Sequence, residues 1–263
     1  EAASSLGVNT FGGDPFWVGE MGMSFIRGVH IGSGNQMLVV AQNFPGTGNS
    51  DRSPDLEVAT VRKSLEQLKQ IELAPYFAVT RPPVGDPSRV DGVMVSHIRY
   101  QGFQGNIRAT TRPISFDPNA FSQIMALPEF AAWREEGGLV ISDNLGSGAV
   151  RRFFDPNNIS FDARQVARNA FLAGNDMLYI DDLVASGSPD AYTSLISILD
   201  FFVQKYEEDS AFAKRVDSSV LRILNAKMKL NNGFSLEGGG LPSVESDEVG
   251  ALGEVTFDVA QAA

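Results

Sequence analysis

Short apolar runs alternate along the chain with longer segments of helical periodicity. Four runs, at 37–41, 93–97, 138–142 and 177–180, are rich in Val, Ile, Leu and Met and are bounded by Gly, Pro, Asn or Asp. Such runs are typical of strands. Because they are continuously apolar rather than alternating, we expect them to be buried on both faces, as in a parallel sheet.

Six segments carry apolar residues three or four positions apart, which indicates helices with one buried face. They are 15–27, 58–73, 119–136, 161–173, 192–208 and 210–230. The order is therefore one helix and then four strand–helix units, which favours an α/β fold with helices outside a parallel sheet. The segment 231–249 is rich in Gly, Ser and Pro and is predicted to be a linker, after which 254–263 resumes a helix-like pattern.

Composition narrows the possible functions. The chain of 263 residues has 32 acidic and 21 Lys or Arg residues, a formal net charge of −11, and no Cys. The negative charge disfavours nucleic acids and anionic membranes as partners. The lack of Cys excludes disulfides, thiolate nucleophiles and Cys-ligated zinc. No apolar run approaches the roughly 18 residues of a membrane span.

No motif predicts a metal or a cofactor. The adjacent acids Asp181 and Asp182 lack a further ligand at a suitable spacing. The glycines at 238–240 follow no strand and begin no helix, so they do not form a phosphate loop.

Five short motifs, in order along the chain, resemble those of glycoside hydrolase family 3, in particular its β-N-acetylhexosaminidase branch. They are Gly7-Val-Asn-Thr-Phe-Gly-Gly-Asp-Pro15, Asn43-Phe-Pro-Gly46, Val93-Met-Val-Ser-His97, Gly138-Leu-Val-Ile-Ser-Asp143 and Ala173-Gly-Asn-Asp-Met177. The resemblance implies an α/β fold of the (β/α)8 TIM-barrel type, with this chain supplying about the last four β/α units in residues 1–230. Residues 231–263 would then be a linker and the start of a truncated following segment.

Half a barrel would leave two unpaired sheet edges and the inner faces of four strands open to water. We therefore expect a second polypeptide, or a cleaved N-terminal half, to complete the barrel. A carbohydrate is the other expected partner. Because its substrates would be glycans, the protein is expected outside the cell or at the cell surface.

The resemblance also implies a function, namely the hydrolysis of β-linked N-acetylglucosamine or glucose-type sugars with retention of configuration. Retaining glycosidases use a carboxylate nucleophile and a second acid/base group. The resemblance makes Asp143 the nucleophile. Its alternative role is to cap the turn that follows it, since Asp favours such turns.

Several residues depart from the family pattern. The family has an Arg and a Lys-His pair that hold sugar hydroxyls, and the matching positions here are Asn9, Gln42 and Asn43. The family's Asp-x-His dyad is replaced by Ser53 and Asp55 when the two are matched without gaps. Asp51 and Asp55 are then the candidates for the acid/base group, with solvated turn formers as the alternative.

Substrate contacts are expected from the set Asn9, Gln42, Asn43, His97, Asn106 and Arg108. The lost donors keep a second function open. The chain could belong to a catalytically degenerate barrel that binds a glycan or a protein partner, or that is purely structural.

Overall fold

The computed structural model describes residues 10–48, 50–54 and 56–230. Asn9, Asp55 and the predicted linker at 231–263 lie outside the described residues.

Two small parallel sheets form the centre of the fold, which confirms the α/β class. The strands are β1 (Val40–Phe44), β2 (Ala59–Val61), β3 (Gly92–Val95), β4 (Ile98–Tyr100) and β5 (Leu139–Ser142). One sheet has the order β1-β3-β5, and the other pairs β2 with β4. In the three-stranded sheet the central strand is β3, and its Val93 lies opposite Ala41 of β1 on one side and opposite Val140 of β5 on the other.

Helices connect and surround these strands. They are α1 (Pro15–Gly32), α2 (Leu65–Gln70), α3 (Ala74–Thr80), α4 (Gln101–Gln104), α5 (Pro118–Met125), α6 (Pro128–Glu135), α7 (Gly148–Phe154), α8 (Ala163–Ala173), α9 (Ala191–Glu208) and α10 (Ser210–Leu230). Aspartates cap several of them. Asp14, for example, accepts hydrogen bonds from the backbone N–H groups of Phe16 and Trp17 at the start of α1, which satisfies donors that have no partner within the helix.

The predicted helix at 58–73 is wrong. Its first part is strand β2, which is fully buried and pairs with β4. The helix proper is the short α2, which begins after Ser64, where Ser64 and Gln67 form a capping box. Burial on a pleated surface favours β-branched residues such as Thr60 and Val61 in a strand.

Other elements have bounds in the structure that differ from the predicted ones. The first strand is Val40–Phe44 rather than 37–41, and Met37 is exposed. The helix predicted at 119–136 is two helices, α5 and α6. Leu127, which precedes Pro128, is extended (ψ 137°), as proline requires of the residue before it. Helix α1 continues past Arg27 to Gly32.

The fourth predicted strand, 177–180, is not a regular strand. Its residues nevertheless run beside β5. Met177 forms a parallel bridge with Ile141 and accepts a hydrogen bond from the backbone N–H of Ser142. The carbonyl of Tyr179 accepts one from Leu145. The segment thus extends the order of the sheet past β5 without forming a continuous ladder.

Apolar side chains fill the space between the sheets and the helices in two clusters. The first cluster surrounds Phe44, whose ring makes edge contacts with Tyr76 and Phe130. The second lies among α7, α8 and α9 and includes Phe161. Burial of these side chains, at roughly 1.5–3 kcal/mol each, stabilises the strand positions on which the site depends.

One buried carboxylate joins α6 and α10 to the start of the segment beside β5. The side chain of Asp176 has no solvent exposure and forms ion pairs with Arg134, Arg215 and Arg222. It also accepts a hydrogen bond from the hydroxyl of Ser219 at 2.9 Å. Asp176 therefore fixes α10 against the strands.

Candidate active site

The ends of three neighbouring strands meet at one rim. Phe44 of β1 is opposite Val95 of β3, and Val95 is opposite Ser142 of β5. The backbone N–H of Asp143 donates to the carbonyl of Val95 at 3.0 Å. Asn43, His97 and Asp143 therefore lie at the carboxyl ends of adjacent parallel strands, where barrel enzymes place their chemistry.

Asp143 takes part in the turn that follows it and keeps one carboxylate oxygen available. Its side chain is half-buried, and Oδ1 accepts a hydrogen bond from the N–H of Asn144 at 2.7 Å. The Asn144 side chain in turn accepts from Gly146 at 2.9 Å. Within the described residues, Oδ2 of Asp143 accepts no hydrogen bond. The turn thus orients this carboxylate without using both of its oxygens.

His97 is enclosed by the protein and supports the same turn. It is 2% exposed and stacks against Phe116. Its Nε2 donates to the carbonyl of Asn144 at 2.9 Å, so Nδ1 of the neutral ring accepts from the hydroxyl of Ser115 at 2.8 Å. Burial lowers the pKa of His97, while the charge of Asp143 and the carbonyl of Asn144 act in the opposite direction. Both ring nitrogens are occupied, and a sugar contact from His97 stays a prediction.

Gln42 and Asn43 line a cavity of about 1050 Å³ that runs along β1 between α1 and α3. Gln42 is exposed and Asn43 is half-buried. The same wall carries Lys63 and Glu72, which form an ion pair.

Sequence reasoning missed the pair of Lys63 and Glu72. Lys63 and Glu72 both fell within the helix predicted over 58–73, and neither was a candidate site residue. A start signal for a new helix at Ser64, with Gln67 three residues on, was present in the sequence and could have separated Lys63 from that helix.

Asp51 lies in the loop between β1 and β2 and is held by its neighbours. Its carboxylate accepts a hydrogen bond from the backbone N–H of Thr60 at 2.8 Å and from Nε of Arg52 at 3.2 Å. The hydrogen bonds that Arg52 donates to the carboxylates of Asp51 and Glu57 raise the pKa of its guanidinium group. No contact joins Asp51 to Asp143 in the described residues. Its role as acid/base group stays a prediction, as does that of Asp55.

No hydrogen bond or ion pair among the described residues joins Asn106 or Arg108 to Asn43, His97 or Asp143. Both side chains are exposed in the loop after α4, and the backbone N–H of Arg108 donates to the hydroxyl of Thr111 at 2.9 Å. Their roles in substrate binding also stay predictions. Ser115, farther along the same connection, is the residue that reaches His97.

Across the described ranges there is no cluster of three or more His, Asp or Glu residues suited to a metal ion. No described helix is both long enough and apolar enough to cross a bilayer.

Comparison with known proteins points to one family. Residues 1–226 match the glycosyl hydrolase family 3 N terminal domain. The chain is 23% identical over 180 residues to a β-hexosaminidase of Hydrogenovibrio crunogenus, covering 68% of this chain and 45% of that protein. It is also 23% identical over 181 residues to a β-hexosaminidase of Idiomarina loihiensis, with 68% and 46% covered. The chain thus spans a little under half the length of these curated relatives.

Solved structures share the fold. A family 3 β-N-acetylglucosaminidase from Paenibacillus sp. str. FPU-7 has a TM-score of 0.66 at 22% identity, covering 92% of this chain and 39% of that one. A family 3 glycosyl hydrolase from Mycobacterium smegmatis has a TM-score of 0.64 at 24% identity, with 86% and 59% covered. At these identities the likeness concerns the fold alone.

Proposed function

Because this chain belongs to glycoside hydrolase family 3, we propose that it is part of a glycosidase that hydrolyses β-linked N-acetylglucosamine or glucose-type sugars with retention of configuration. One observation carries the proposal. Asp143 follows β5 directly, and its N–H donates to the carbonyl of Val95, so its carboxylate lies at the strand rim, near enough to His97 to act on its charge.

In this mechanism Oδ2 of Asp143 attacks the anomeric carbon while an acid protonates the departing oxygen. The resulting glycosyl ester is then hydrolysed by water, which the same second group deprotonates. Asp51 and Asp55 are the candidates for that second group. In retaining enzymes the two carboxyl groups are separated by about 5–5.5 Å, so the loop that carries Asp51 would have to bring one of them close to Asp143.

The barrel itself is part of the proposal. This chain would supply about the last four β/α units of a (β/α)8 barrel, and a second polypeptide or a separate N-terminal half would supply the others. Two features support this arrangement. Within the described residues, β1 pairs with β3 alone, so its other edge is open. Helix α1 also exposes Phe16, Trp17 and Phe25, and large exposed apolar patches mark interaction surfaces.

The experiment is a turnover assay of the native assembly on a panel of chromogenic β-glycosides. We expect Asp143→Asn to abolish turnover without a change in the melting temperature. Asp200→Asn, an exposed acid on α9, is the matched control and should retain full activity. A mechanism-based 5-fluoroglycoside should leave a sugar adduct on the peptide that contains Asp143. Normal turnover by Asp143→Asn would refute the assignment of the nucleophile.

A second candidate function is glycan binding without hydrolysis. It is favoured by the amides Gln42 and Asn43, which stand in the cavity wall where the family pattern has a Lys-His pair. Loss of a single donor to a transition state costs on the order of 10²–10³ in rate. Saturable binding of a glycan with no hydrolysis of any substrate on the panel would favour this function over the first.

A further inference from the structure

We propose that Arg134, Arg215 and Arg222 form a binding site for a phosphate dianion at the end of the sheet opposite to Asp143. The ligand is free inorganic phosphate or the phosphate group of a small ester. Binding at this site is a function beyond the proposed hydrolysis and does not depend on it.

The site lies at the amino end of β5. The carboxylate of Asp176, at the centre of the three arginines, accepts a hydrogen bond from the backbone N–H of Val140 at 3.1 Å. Arg134 donates to the carbonyl of Gly138, which immediately precedes β5, at 2.6 Å. Asp143, in contrast, follows the last residue of that strand. A ligand bound by the arginines is therefore distinct from one bound at the strand rim.

The three arginines share one acid, which leaves two positive charges without a counter-charge. Among the described residues, Asp176 is the only acid that forms an ion pair with any of them. Burial lowers the pKa of Arg222 and the charge of Arg134 lowers it further, while Asp176 raises it. This concentration of positive charge occurs in a chain whose formal net charge is −11, and a bound dianion would neutralise it.

Asp176 is already satisfied by donors that lie closer than Arg222. Its Oδ1 accepts hydrogen bonds at 2.9 Å from Nη2 of Arg134 and from the hydroxyl of Ser219, and a carboxylate oxygen has about two acceptor positions. Arg215 and Arg222 reach the same atom only at 3.4 Å, beyond the usual range of N–H···O bonds. Across the described ranges, Nε and Nη2 of Arg222 donate no hydrogen bond, whereas Nη1 does. Arg222 therefore keeps donors for a ligand.

These donors are accessible, and their geometry suits a phosphate group. The side chain of Arg222 is 25% exposed and that of Arg215 is 22% exposed, so a small ion can approach both from solvent. A guanidinium group presents paired N–H donors that match two oxygens of a phosphate or a carboxylate. Of these anions, the phosphate dianion has the two charges that the site lacks, whereas a single carboxylate would neutralise only half of the excess.

The test is calorimetric titration of the native assembly with inorganic phosphate and with methyl phosphate, at an ionic strength held constant with potassium chloride. We expect phosphate to bind the wild type, and Arg222→Met to weaken that binding by about tenfold or more. The matched control is Arg164→Met, which removes an exposed arginine paired with Asp162 at the start of α8 and should bind as the wild type does. The probe that binds more tightly shows whether the ligand is free phosphate or an ester.

The stability of Arg222→Met separates binding from a structural role. Because Asp176 keeps its closer donors, this variant should unfold in phosphate-free buffer at the wild-type urea concentration or above it. Arg222→Lys keeps the charge but loses the paired donors, and it should bind phosphate with intermediate affinity. The proposal would be overturned by a wild type that binds neither probe, by wild-type affinity in Arg222→Met, or by clear destabilisation of that variant without phosphate. Hydrolysis by Asp143 depends on none of these outcomes.

Discussion

The ring of His97 and the backbone of Asn144 are joined across two strand ends by a hydrogen bond of 2.9 Å. Asn144 directly follows Asp143, so a side chain at the end of β3 fixes the turn that presents the proposed nucleophile after β5. The bond requires a hydrogen on Nε2, and Ser115 completes the arrangement by donating to Nδ1. This histidine is therefore a positioning residue for the turn in the structure as described.

His97→Ala should destabilise the protein. It removes two buried hydrogen bonds and leaves a cavity, so we expect the free energy of unfolding to fall by about 3 kcal/mol. Ser115→Ala removes only one of those bonds and should cost about 1 kcal/mol. Urea denaturation of the two variants measures both values. Equal losses would contradict a separate role for the bond to Asn144.

The same histidine should make stability depend on pH. Burial lowers the pKa of His97 in the folded state, whereas in the unfolded chain it returns to about 6.5. Between those two values the unfolded state binds more protons, so stability rises with pH. This contribution is fully present above about pH 7 and is lost as the pH falls below about 6.5. The difference in free energy of unfolding between wild type and His97→Gln, measured from pH 5 to 8, should shrink toward the acidic end. A difference in the free energy of unfolding that stays constant from pH 5 to 8 would contradict this role of His97.

Asp176→Asn should be among the most damaging single changes. Burial alone would raise the pKa of Asp176, but hydrogen bonding to Arg134 and the charges of Arg134, Arg215 and Arg222 hold it below its usual range. Replacing this acid leaves three partly buried guanidinium groups without their counter-charge. We expect a loss of about 3–5 kcal/mol in the free energy of unfolding.

The control for that prediction is an ion pair on the surface. Glu208→Gln removes the exposed partner of Lys205 on α9 and should change stability by no more than about 0.5 kcal/mol. A comparable effect of the two changes in urea denaturation would show that burial of Asp176 is not what matters.

Gly146→Ala should disturb the turn after Asp143. A Cβ at this position would lie 1.9 Å from the backbone carbonyl oxygen of Asp181, so the two segments must separate. We expect a loss of about 2 kcal/mol in the free energy of unfolding and weaker turnover on the panel of β-glycosides. Gly28→Ala on helix α1 meets no atom within 4 Å and should be neutral or stabilise by up to about 1 kcal/mol. Melting temperatures of the two variants decide between these outcomes.

Residues that are close in the sequence determine where several strands end and where several helices begin. Continuous apolar runs located the strand ends before His97 and Asp143, because a segment buried on both faces must be apolar throughout. Residue pairs such as Asp117-Pro118 mark helix starts, because a capping residue and the helix that it caps are neighbours in the chain. The position of Asp143 after its strand was therefore predictable from the sequence.

Tertiary structure decided the remainder. The residues of β2 have a periodicity compatible with a helix, and only pairing with β4, almost forty positions away, makes them a strand. Because β2 is a strand, Lys63 lies outside helix α2 and can pair with Glu72. The hydrogen bond from His97 to Asn144 likewise joins residues that are 47 positions apart in the sequence. Periodicity reports which face of an element is buried, but it carries no information about which distant element covers that face.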